Sequence, residues 1–262
     1  MKFSLSGRII EVDYKYCQMD VGQFGELAKQ AGYDAVELRR TQIDAKTKPE
    51  EVAQMAAAFN KSGIGVSRIP AEAVTDAKSL KALSKFADMA VELGCPYLAG
   101  GFKEIPWIQK ACDYLKERGL AMVIQVHTGG PFETPELAIK TLNEIDRSNF
   151  GLMYDPANIF EKDIDYVKPV ERLKDHLFIV SVQDICRVDE AADGTWENEG
   201  RHYGKHLFGT PGGIDFPRVF DALEKINFDG YVTVIEPISD LMNNLDLADY
   251  MCRQLKKMTS RV

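Results

Sequence analysis

Two spacings of apolar residues alternate along this chain. Short apolar runs, among them residues 150–154 (FGLMY), have the length and the bounding turn residues of buried strands. Between such runs, apolar residues recur every three or four positions, as Leu80, Leu83 and Phe86 do, which predicts amphipathic helices. The predicted strands cover residues 3–12, 34–38, 64–69, 96–99, 120–127, 150–154, 177–184 and 230–236. The predicted helices cover residues 20–30, 49–63, 78–93, 107–118, a segment from 134, 164–174, 215–226 and 241–258.

The order of these elements predicts the fold. Strands that alternate with helices form parallel β–α units, and eight such units in about 250 residues match a (β/α)8 TIM barrel. No Ser/Pro-rich linker and no change of composition divides the chain, so we predict one domain over residues 1–262. A doubly wound open sheet is the alternative, but it usually has a glycine-rich phosphate loop after its first strand, and this chain has none there.

Composition and charge disfavour some classes of partner and some cellular locations. The net charge of −8 opposes a nucleic-acid-binding surface. No apolar run reaches the roughly 18–20 residues of a membrane span, and Arg8 and Glu11 come too early for a secretory signal. The cysteines are odd in number, widely spaced and without a Cys-x-x-Cys pair, so they predict free thiols in a reducing cytoplasm. They are Cys17, Cys95, Cys112, Cys186 and Cys252.

Polar residues close the predicted strands on their C-terminal side. In a parallel barrel these ends converge on one mouth, where the chemistry of such folds is found. Asp155 and Glu236 stand out, because each follows an apolar strand and precedes a proline that ends the strand. The polar residues at these ends are Glu37, Arg68, Lys103, Gln125, His127, Asp155, Asn158, Gln183, Asp184 and Glu236.

Oxygen donors at these strand ends predict a metal site. Asp155, Glu236, Gln183 and Gln125 offer carboxylate and amide oxygens, which suit Mg²⁺ or Mn²⁺ better than zinc. A carboxylate that is not fully committed to the metal can also move a proton next to a carbonyl. The alternative for the glutamines is a neutral hydrogen bond across the barrel interior, and the alternative for His127 is packing or capping of a loop.

The connection from Ile185 to Phe208 is the longest segment without a predicted helix or strand, and it leaves from the predicted mouth. Loops of this length in compact domains are usually functional or disordered. Its aromatic and basic residues predict a lid that binds a polyol or a phosphorylated sugar, and a solvated excursion is the alternative. These residues are Arg187, Trp196, Arg201, His202, Tyr203 and His206.

Four motifs in this sequence resemble one family. Together they are similar to the xylose-isomerase-like TIM-barrel superfamily of sugar (phosphate) isomerases and epimerases, which includes barrels of the AP-endonuclease-2 type. The resemblance runs from the first strand to the last helix, is strongest in the C-terminal half and indicates no single substrate. The motifs are residues 154–158 (YDPAN), 182–184 (VQD), 209–216 (GTPGGIDF) and 229–237 (DGYVTVIEP).

The resemblance implies metal ligands and bases. Epimerases of the family hold Mn²⁺ or a similar ion with a Glu after strand five, an Asp after strand six, a His after strand seven and a Glu after strand eight. The two glutamates exchange protons on opposite faces of an enediol. The matching residues here are Gln125, Asp155, Gln183 and Glu236. A Gln after strand seven resembles the hydroxypyruvate isomerase branch, whereas Gln125 is a departure, because an amide can coordinate a metal but cannot accept a proton.

The replaced strand-five glutamate leaves a one-base scheme, with Glu236 as the base, or a scheme in which His127 or Glu37 supplies a base. Glu236 and His127 are therefore the predicted catalytic residues. The substrate, a small sugar or sugar phosphate, would be bound by Asn158, Arg187, Lys103 and Glu37.

Three functions remain open. The first is a metal-dependent isomerase or epimerase of a sugar, a sugar phosphate or a keto-acid. The second is an inosose-type dehydratase, for which one base suffices, and the third is a sugar-binding barrel without turnover. The endonuclease branch needs several histidine ligands, and only His127 of the four histidines lies at a strand end, so DNA repair is disfavoured. Exposed helices are compatible with a homo-oligomer, but the pattern selects none.

Overall fold

Eight parallel strands close into a barrel in the computed structural model, which describes residues 1–235 and 242–259. Each strand pairs with its neighbours in chain order, and the first strand pairs with both the second and the eighth. The closed ring with helices between its strands confirms the predicted (β/α)8 fold. The barrel strands, numbered one to eight below, are Lys2–Ser6, Ala35–Glu37, Gly65–Pro70, Tyr97–Ala99, Ala121–Gln125, Phe150–Tyr154, Leu177–Val182 and Tyr231–Val234.

The helices surround this barrel and begin and end at the residues that the capping rules favour. Asp20 accepts a hydrogen bond from the Gln23 amide at the start of the first helix, and Gly32 ends it with a left-handed backbone. No helix in the described ranges is long and apolar enough to cross a membrane. The α-helices are Val21–Ala31, Pro49–Ser62, Ala77–Glu92, Ile105–Lys116, Pro135–Ile145, Pro156–Phe160, Pro169–Arg172, Phe216–Lys225 and Asn244–Thr259.

The predicted first strand, residues 3–12, is too long. Strand one ends at Ser6, whose hydroxyl accepts a hydrogen bond from the Arg8 amide and begins a short 3-10 helix over Gly7–Ile10. The chain then forms a small hairpin, in which Glu11–Val12 pairs with Tyr16–Cys17. This hairpin lies at the C-terminal end of the barrel, where it extends the wall of the mouth.

The predicted helix over residues 164–174 is also too long. Only Pro169–Arg172 is α-helical there, and Lys174–His176 forms a 3-10 turn. The side chain of Asp165 accepts hydrogen bonds from the amides of Val167 and Lys168, which holds a turn before Pro169. The helix Pro156–Phe160, which follows strand six directly, has no counterpart among the predicted elements.

The segment predicted to be irregular, Ile185–Phe208, forms a three-stranded antiparallel sheet, here called the accessory sheet. Its strands are Ile185–Val188, Trp196–Asn198 and Arg201–Lys205, and the last lies in the middle. Glu199 and Gly200 both have positive φ, which gives the tight turn between the second and third strands. A Glu-Gly pair is a weaker turn signal than Asn-Gly, so the alternation around it does not stand out in the sequence.

The aromatic residues of the accessory sheet are packed against the loop after strand six. The Trp196 Nε1 donates to the Glu161 Oε1 at 2.9 Å, and the Tyr203 hydroxyl donates to the Glu161 carbonyl at 3.1 Å. The Tyr203 ring also meets Phe160 edge-on, with centroids 6.0 Å apart. These contacts anchor the sheet beside the mouth.

The two ends of the barrel differ in character. Three aromatic rings pack together at the N-terminal end. The centroid of Tyr97, on strand four, lies 5.4 Å from that of Phe178, on strand seven, and 6.2 Å from that of Tyr231, on strand eight. Above them, Val123, Met153 and Ile179 form a separate apolar cluster of buried residues on strands five to seven. Because alternate residues of a strand share a face, Gln125, Asp155 and Gln183 continue these three rows towards the C-terminal mouth.

Candidate active site

Asp155 is a buried carboxylate that receives two side-chain amides. Its Oδ2 accepts a hydrogen bond from the Gln125 Nε2 at 2.7 Å and another from the Gln183 Nε2 at 2.8 Å. The three residues end or follow strands five, six and seven, which are neighbours in the barrel. The structure therefore brings three of the four predicted metal ligands together in one cluster, called the Asp155 cluster below.

The sequence after strand six positions Asp155 and Asn158. Asp155 caps the short helix Pro156–Phe160, where its Oδ1 accepts from the Ala157 amide at 3.1 Å. The Asn158 Nδ2 donates to the Val126 carbonyl at 2.7 Å, which ties this helix to the end of strand five. Asn158 is buried, and its described hydrogen bond holds the backbone at the barrel mouth in place. Its substrate-binding role remains a prediction.

The environment of Asp155 favours its neutral form. Burial raises its pKa to about 6, although hydrogen bonds from Gln125, the Ala157 amide and Gln183 oppose the shift. Burial dominates because the described surroundings of this carboxylate contain amide donors but no cation to balance its charge. A bound cation would stabilise the ionised form of Asp155, because it would supply the positive charge that the described surroundings lack.

The donors of the Asp155 cluster fit a hard divalent cation. If the side-chain amide group of each glutamine flips, its Oε1 takes the place of its Nε2 next to the Asp155 carboxylate. One carboxylate and two neutral oxygens are donors that Mg²⁺ or Mn²⁺ accepts. Within residues 1–235 and 242–259, no three His, Cys, Asp or Glu side chains come together as a metal site. The predicted fourth ligand and base, Glu236, lies outside the described residues.

His127, Lys103 and Arg187 are exposed. The His127 Nδ1 lies 3.2 Å from the Thr128 carbonyl and no described contact joins it to the Asp155 cluster. Arg187, on the accessory sheet, forms an ion pair with Asp163, and its guanidinium lies 5.6 Å from the Phe160 ring centroid. The structure therefore leaves these three predicted residues at the surface, and their roles remain predictions.

Glu37 is fully buried on the other side of the barrel, at the end of strand two. Its Oε1 accepts from the Ser6 hydroxyl at 2.9 Å and lies 2.6 Å from the Arg68 Nη2. Burial by itself would raise its pKa, but the charge and hydrogen bond of Arg68 outweigh burial and hold the pKa below its usual range. Glu37 is thus an ionised partner of Arg68, which makes it a poor proton acceptor at neutral pH.

Asp184 is a second buried acid at the mouth, one residue after Gln183. Its Oδ1 accepts from the Ile214 amide at 2.8 Å and ties down the loop over residues 209–214. Burial raises the pKa of Asp184 to about 6. A Cβ on Gly213 would lie 2.3 Å from this Oδ1, so the glycine is needed for the close approach. The role of the last glycine in the Gly-Thr-Pro-Gly-Gly motif is therefore structural.

Arg68, Arg39 and Glu11 are not among the residues that the sequence predicted to bind metal or substrate. Arg39 lies 3.6 Å from Glu11 Oε2 and 3.7 Å from Glu37 Oε1, so it joins two buried carboxylates. Glu11 was predicted to belong to strand one, which hid its position in the hairpin. The available signal was the Arg39-Arg40 pair, one residue beyond the end of strand two.

Several solved structures have the same barrel fold as this chain. The probable 3-DHS dehydratase AsbF of Bacillus anthracis, involved in petrobactin synthesis, has a TM-score of 0.76 and 16% identity over 100% of both chains. A D-allulose 3-epimerase from Methylomonas sp., solved with D-allulose, has a TM-score of 0.73 and 19% identity, over 98% of this chain and 97% of the other. The IOLI protein, solved with a zinc atom, has a TM-score of 0.74 and 16% identity, over 100% of this chain and 99% of the other.

At such identities the structural likeness shows the fold alone. No curated protein sequence matches this chain. The family model of the xylose isomerase-like TIM barrel matches residues 26–258, which is most of the chain and includes the Asp155 cluster. The chain therefore belongs to the xylose isomerase-like TIM barrel family.

Proposed function

We propose that this chain is a divalent-metal-dependent isomerase or epimerase that acts on a sugar or a related hydroxy-carbonyl compound by proton transfer through an enediol. The observation that carries the proposal is the convergence of Gln125 and Gln183 on the Asp155 Oδ2 at the barrel mouth. The similarity to epimerases such as the D-allulose 3-epimerase supports the same class.

Asp155, Gln183, Gln125 and Glu236 would hold the cation, Mg²⁺ or Mn²⁺. When bound, the cation would polarise the substrate carbonyl and acidify the adjacent C–H bond. Asp155 contributes a negative charge that burial makes unfavourable without a cation, and the two amides hold its carboxylate in one orientation. Glu236 is the proposed base: it removes the proton from the carbon next to the carbonyl, and after exchange with solvent it delivers a proton to the former carbonyl carbon. In an isomerisation the proton of the neighbouring hydroxyl moves to the former carbonyl oxygen, which completes the exchange of carbonyl and hydroxyl.

The protein supplies one carboxylate base in this scheme. Gln125 cannot accept a proton, and the ion pair with Arg68 lowers the pKa of the buried Glu37, which makes it a weak base. An epimerase that inverts one centre needs a second proton carrier on the opposite face of the enediol. His127 is the proposed carrier, because it follows strand five by two residues and its ring is exposed at the mouth.

A dehydratase is the second candidate, and the glutamine at position 125 is the observation that favours it. Elimination of water needs one base to remove the proton beside a polarised carbonyl, whereas the leaving hydroxyl can depart with a proton from the same group. A site with a single carboxylate base therefore suits elimination as well as isomerisation. The similarity to the probable dehydratase AsbF supports this class equally.

The deciding experiment combines metal content with substrate turnover in heavy water. Protein loaded with Mn²⁺ or Mg²⁺ is incubated with a panel of ketoses, aldoses and hydroxy-keto acids, and products are followed by NMR and mass spectrometry. The product of an isomerase or epimerase carries solvent deuterium at the carbon next to the carbonyl and otherwise has the same elemental composition as the substrate. A dehydratase loses one water, and a sugar-binding barrel is stabilised by ligand but gives neither product.

Matched carboxylate variants provide the control. Asp155→Asn should lose both bound metal and turnover, whereas Asp113→Asn should retain them, because Asp113 is an exposed partner of Arg147 away from the mouth. A metal-free protein whose melting temperature is indifferent to EDTA and to added ions contradicts the proposal. Equal metal content in the wild type and Asp155→Asn would contradict it as well.

A further inference from the structure

A group of cations lines a second part of the mouth, opposite the Asp155 cluster. The side chains belong to the hairpin after strand one and to the ends of strands two and three, and strand two is four strands away from strand six in the ring of eight. They surround a cavity of about 430 Å³. We call this cavity the basic pocket, and its cations are Lys15, Arg39, Arg40 and Arg68.

The positive charge of this pocket exceeds the negative charge that contacts it. Arg39 and Arg68 approach Glu37, and Arg39 also approaches Glu11. Arg40 is paired with Glu72 at 2.8 Å. Arg8 adds a further cation next to Glu11, at 3.7 Å. Lys15 has no ion-pair partner in the described part of the chain. The four cations of the pocket and the neighbouring Arg8 therefore outnumber the three carboxylates beside them, Glu11, Glu37 and Glu72, in a protein whose net charge is −8.

Arg68 is the buried centre of the pocket. Only 9% of its side chain is exposed, and Glu37 holds its Nη2 at 2.6 Å. The Nε of Arg68 is buried without a hydrogen-bond partner in the described residues. A buried guanidinium whose donors are only partly used carries a cost that an anionic acceptor would remove.

The ion pairs of this pocket hold the arginines in place without neutralising them. Arg39 lies 3.6 and 3.7 Å from its two glutamates, beyond hydrogen-bond distance, and the Oε2 atoms of both Glu11 and Glu37 lack hydrogen-bond partners among the residues that the structure describes. Two buried acids therefore position Arg39 and Arg68 while Lys15 and part of each guanidinium remain available. Such fixed cations at a barrel mouth are a recognition site for oxyanions.

We propose that the basic pocket binds an anionic oxygen group of the substrate, a carboxylate or a phosphate ester, so that the substrate is an acidic sugar derivative rather than a neutral sugar. The inference rests on the proposed function, because the anionic group would fix one end of a molecule whose carbonyl reaches the Asp155 cluster. Arg39, Arg68 and Lys15 bind this group, and Glu37 and Glu11 are positioning residues for the arginines.

Three probes with one carbon skeleton test the proposal: glycerol 3-phosphate, glycerate and glycerol. Their binding to the EDTA-treated full chain is measured by isothermal titration calorimetry. We expect both or one of the anions to bind and glycerol not to bind at the same concentrations. Preference for glycerol 3-phosphate identifies a phosphate ester as the natural group, and preference for glycerate identifies a carboxylate.

Variants locate the binding. Lys15→Gln and Arg39→Gln should each weaken anion binding by about tenfold or more, the effect of losing one charge-assisted hydrogen bond. Both side chains are at least partly exposed, so these variants should fold. Arg118→Gln is the matched control, since Arg118 is an exposed cation after the helix that precedes strand five, at the other end of the barrel.

The proposal is overturned if glycerol binds as well as the anions, if neither anion binds, or if both variants bind anions as the wild type does. The assay uses neither metal nor turnover. Its failure would therefore leave the Asp155 site intact, and an inactive Asp155 site would leave the anion measurement valid.

Discussion

The Nε2 of Gln125 lies 2.7 Å from the Oδ2 of Asp155, so the residue at the strand-five position donates a hydrogen bond to the carboxylate of the strand-six position. Related epimerases are expected to have a glutamate there, which would oppose Asp155 with a second negative charge in the absence of metal. The amide therefore lets the cluster form without a cation, and a glutamate would make it depend on one.

The first prediction concerns this substitution. Gln125→Glu should bind Mn²⁺ about tenfold or more tightly than the wild type, because a second carboxylate adds a charged ligand. In EDTA the same variant should melt at a lower temperature, because two adjacent carboxylates repel each other. Calorimetric titration with Mn²⁺ and thermal unfolding with and without EDTA measure both effects.

Gln125→Leu serves as the control, since it removes the hydrogen bond without adding a charge. It should be destabilised in EDTA but should show no gain in metal affinity. If Gln125→Glu binds Mn²⁺ no better than the leucine variant, then position 125 does not face the metal.

The second prediction concerns the pH dependence of stability. The pKa of Asp155 in the folded protein, about 6, exceeds the value of about 3.9 for an unfolded aspartate. Between these values the folded state binds more protons, so its free energy of unfolding falls as the pH rises and is constant above both. The ionised form thus costs about 2–3 kcal/mol of stability at neutral pH without metal.

Asp155→Asn removes this titration. In EDTA the variant should lose less stability than the wild type between pH 4 and pH 7, as measured by urea unfolding at fixed pH. Asp184, whose pKa is also about 6, contributes a similar slope to both proteins. Parallel stability–pH curves for the variant and the wild type would show that Asp155 is not held with a raised pKa.

The third prediction tests the buried ion pair of Glu37 and Arg68. Glu37→Gln should destabilise the fold by about 3–5 kcal/mol, because it leaves the buried guanidinium without its partner. The double variant Glu37→Gln with Arg68→Met should recover most of this loss. Chemical unfolding of the wild type, both single variants and the double variant provides the coupling energy.

The pH dependence of the pair has the opposite direction to that of Asp155. Arg68 lowers the pKa of Glu37 in the folded protein. The ion pair therefore adds to the free energy of unfolding at neutral pH, and this contribution is lost as the pH falls through the folded pKa of Glu37. A coupling energy near zero at pH 7 would refute the assignment of Glu37 as the ionised partner of Arg68.

The fourth prediction concerns the loop tied down by Asp184. Gly213→Ala should cost about 1–3 kcal/mol of unfolding free energy, because its Cβ would lie 2.3 Å from the Asp184 Oδ1. Gly101→Ala is the control, since a Cβ there meets its nearest described neighbour, Ala73, at 3.8 Å. Equal stability of the two variants would mean that the loop can move away from Asp184 without cost.

The barrel itself could be predicted from the chain, because its information is local. A buried strand needs a short apolar run and a surface helix needs an apolar stripe, and eight alternations of the two leave few folds. The errors lie where a local signal was weak or ambiguous. The 3-10 helix Gly7–Ile10 continues the apolar pattern of strand one, and the turn at Glu199 and Gly200 lacks the usual residues of a hairpin.

The Asp155 cluster was partly predictable for the same reason. Asp155 follows an apolar run and precedes a proline, which predicts that it lies at the C-terminal end of a strand. The parallel barrel then implies that Gln125 and Gln183 lie on the two neighbouring strands. The raised pKa of Asp155 was not predictable, because it depends on how completely the folded chain excludes water from that carboxylate.

The basic pocket depends wholly on tertiary structure. Glu11, Glu37 and Arg68 are separated by 25 residues or more along the chain, and no spacing rule connects them. Their approach requires strands one, two and three to pair in register and the hairpin to fold over their ends. Local patterns determine which strands and helices form, whereas the closure of the barrel decides which distant charges become partners.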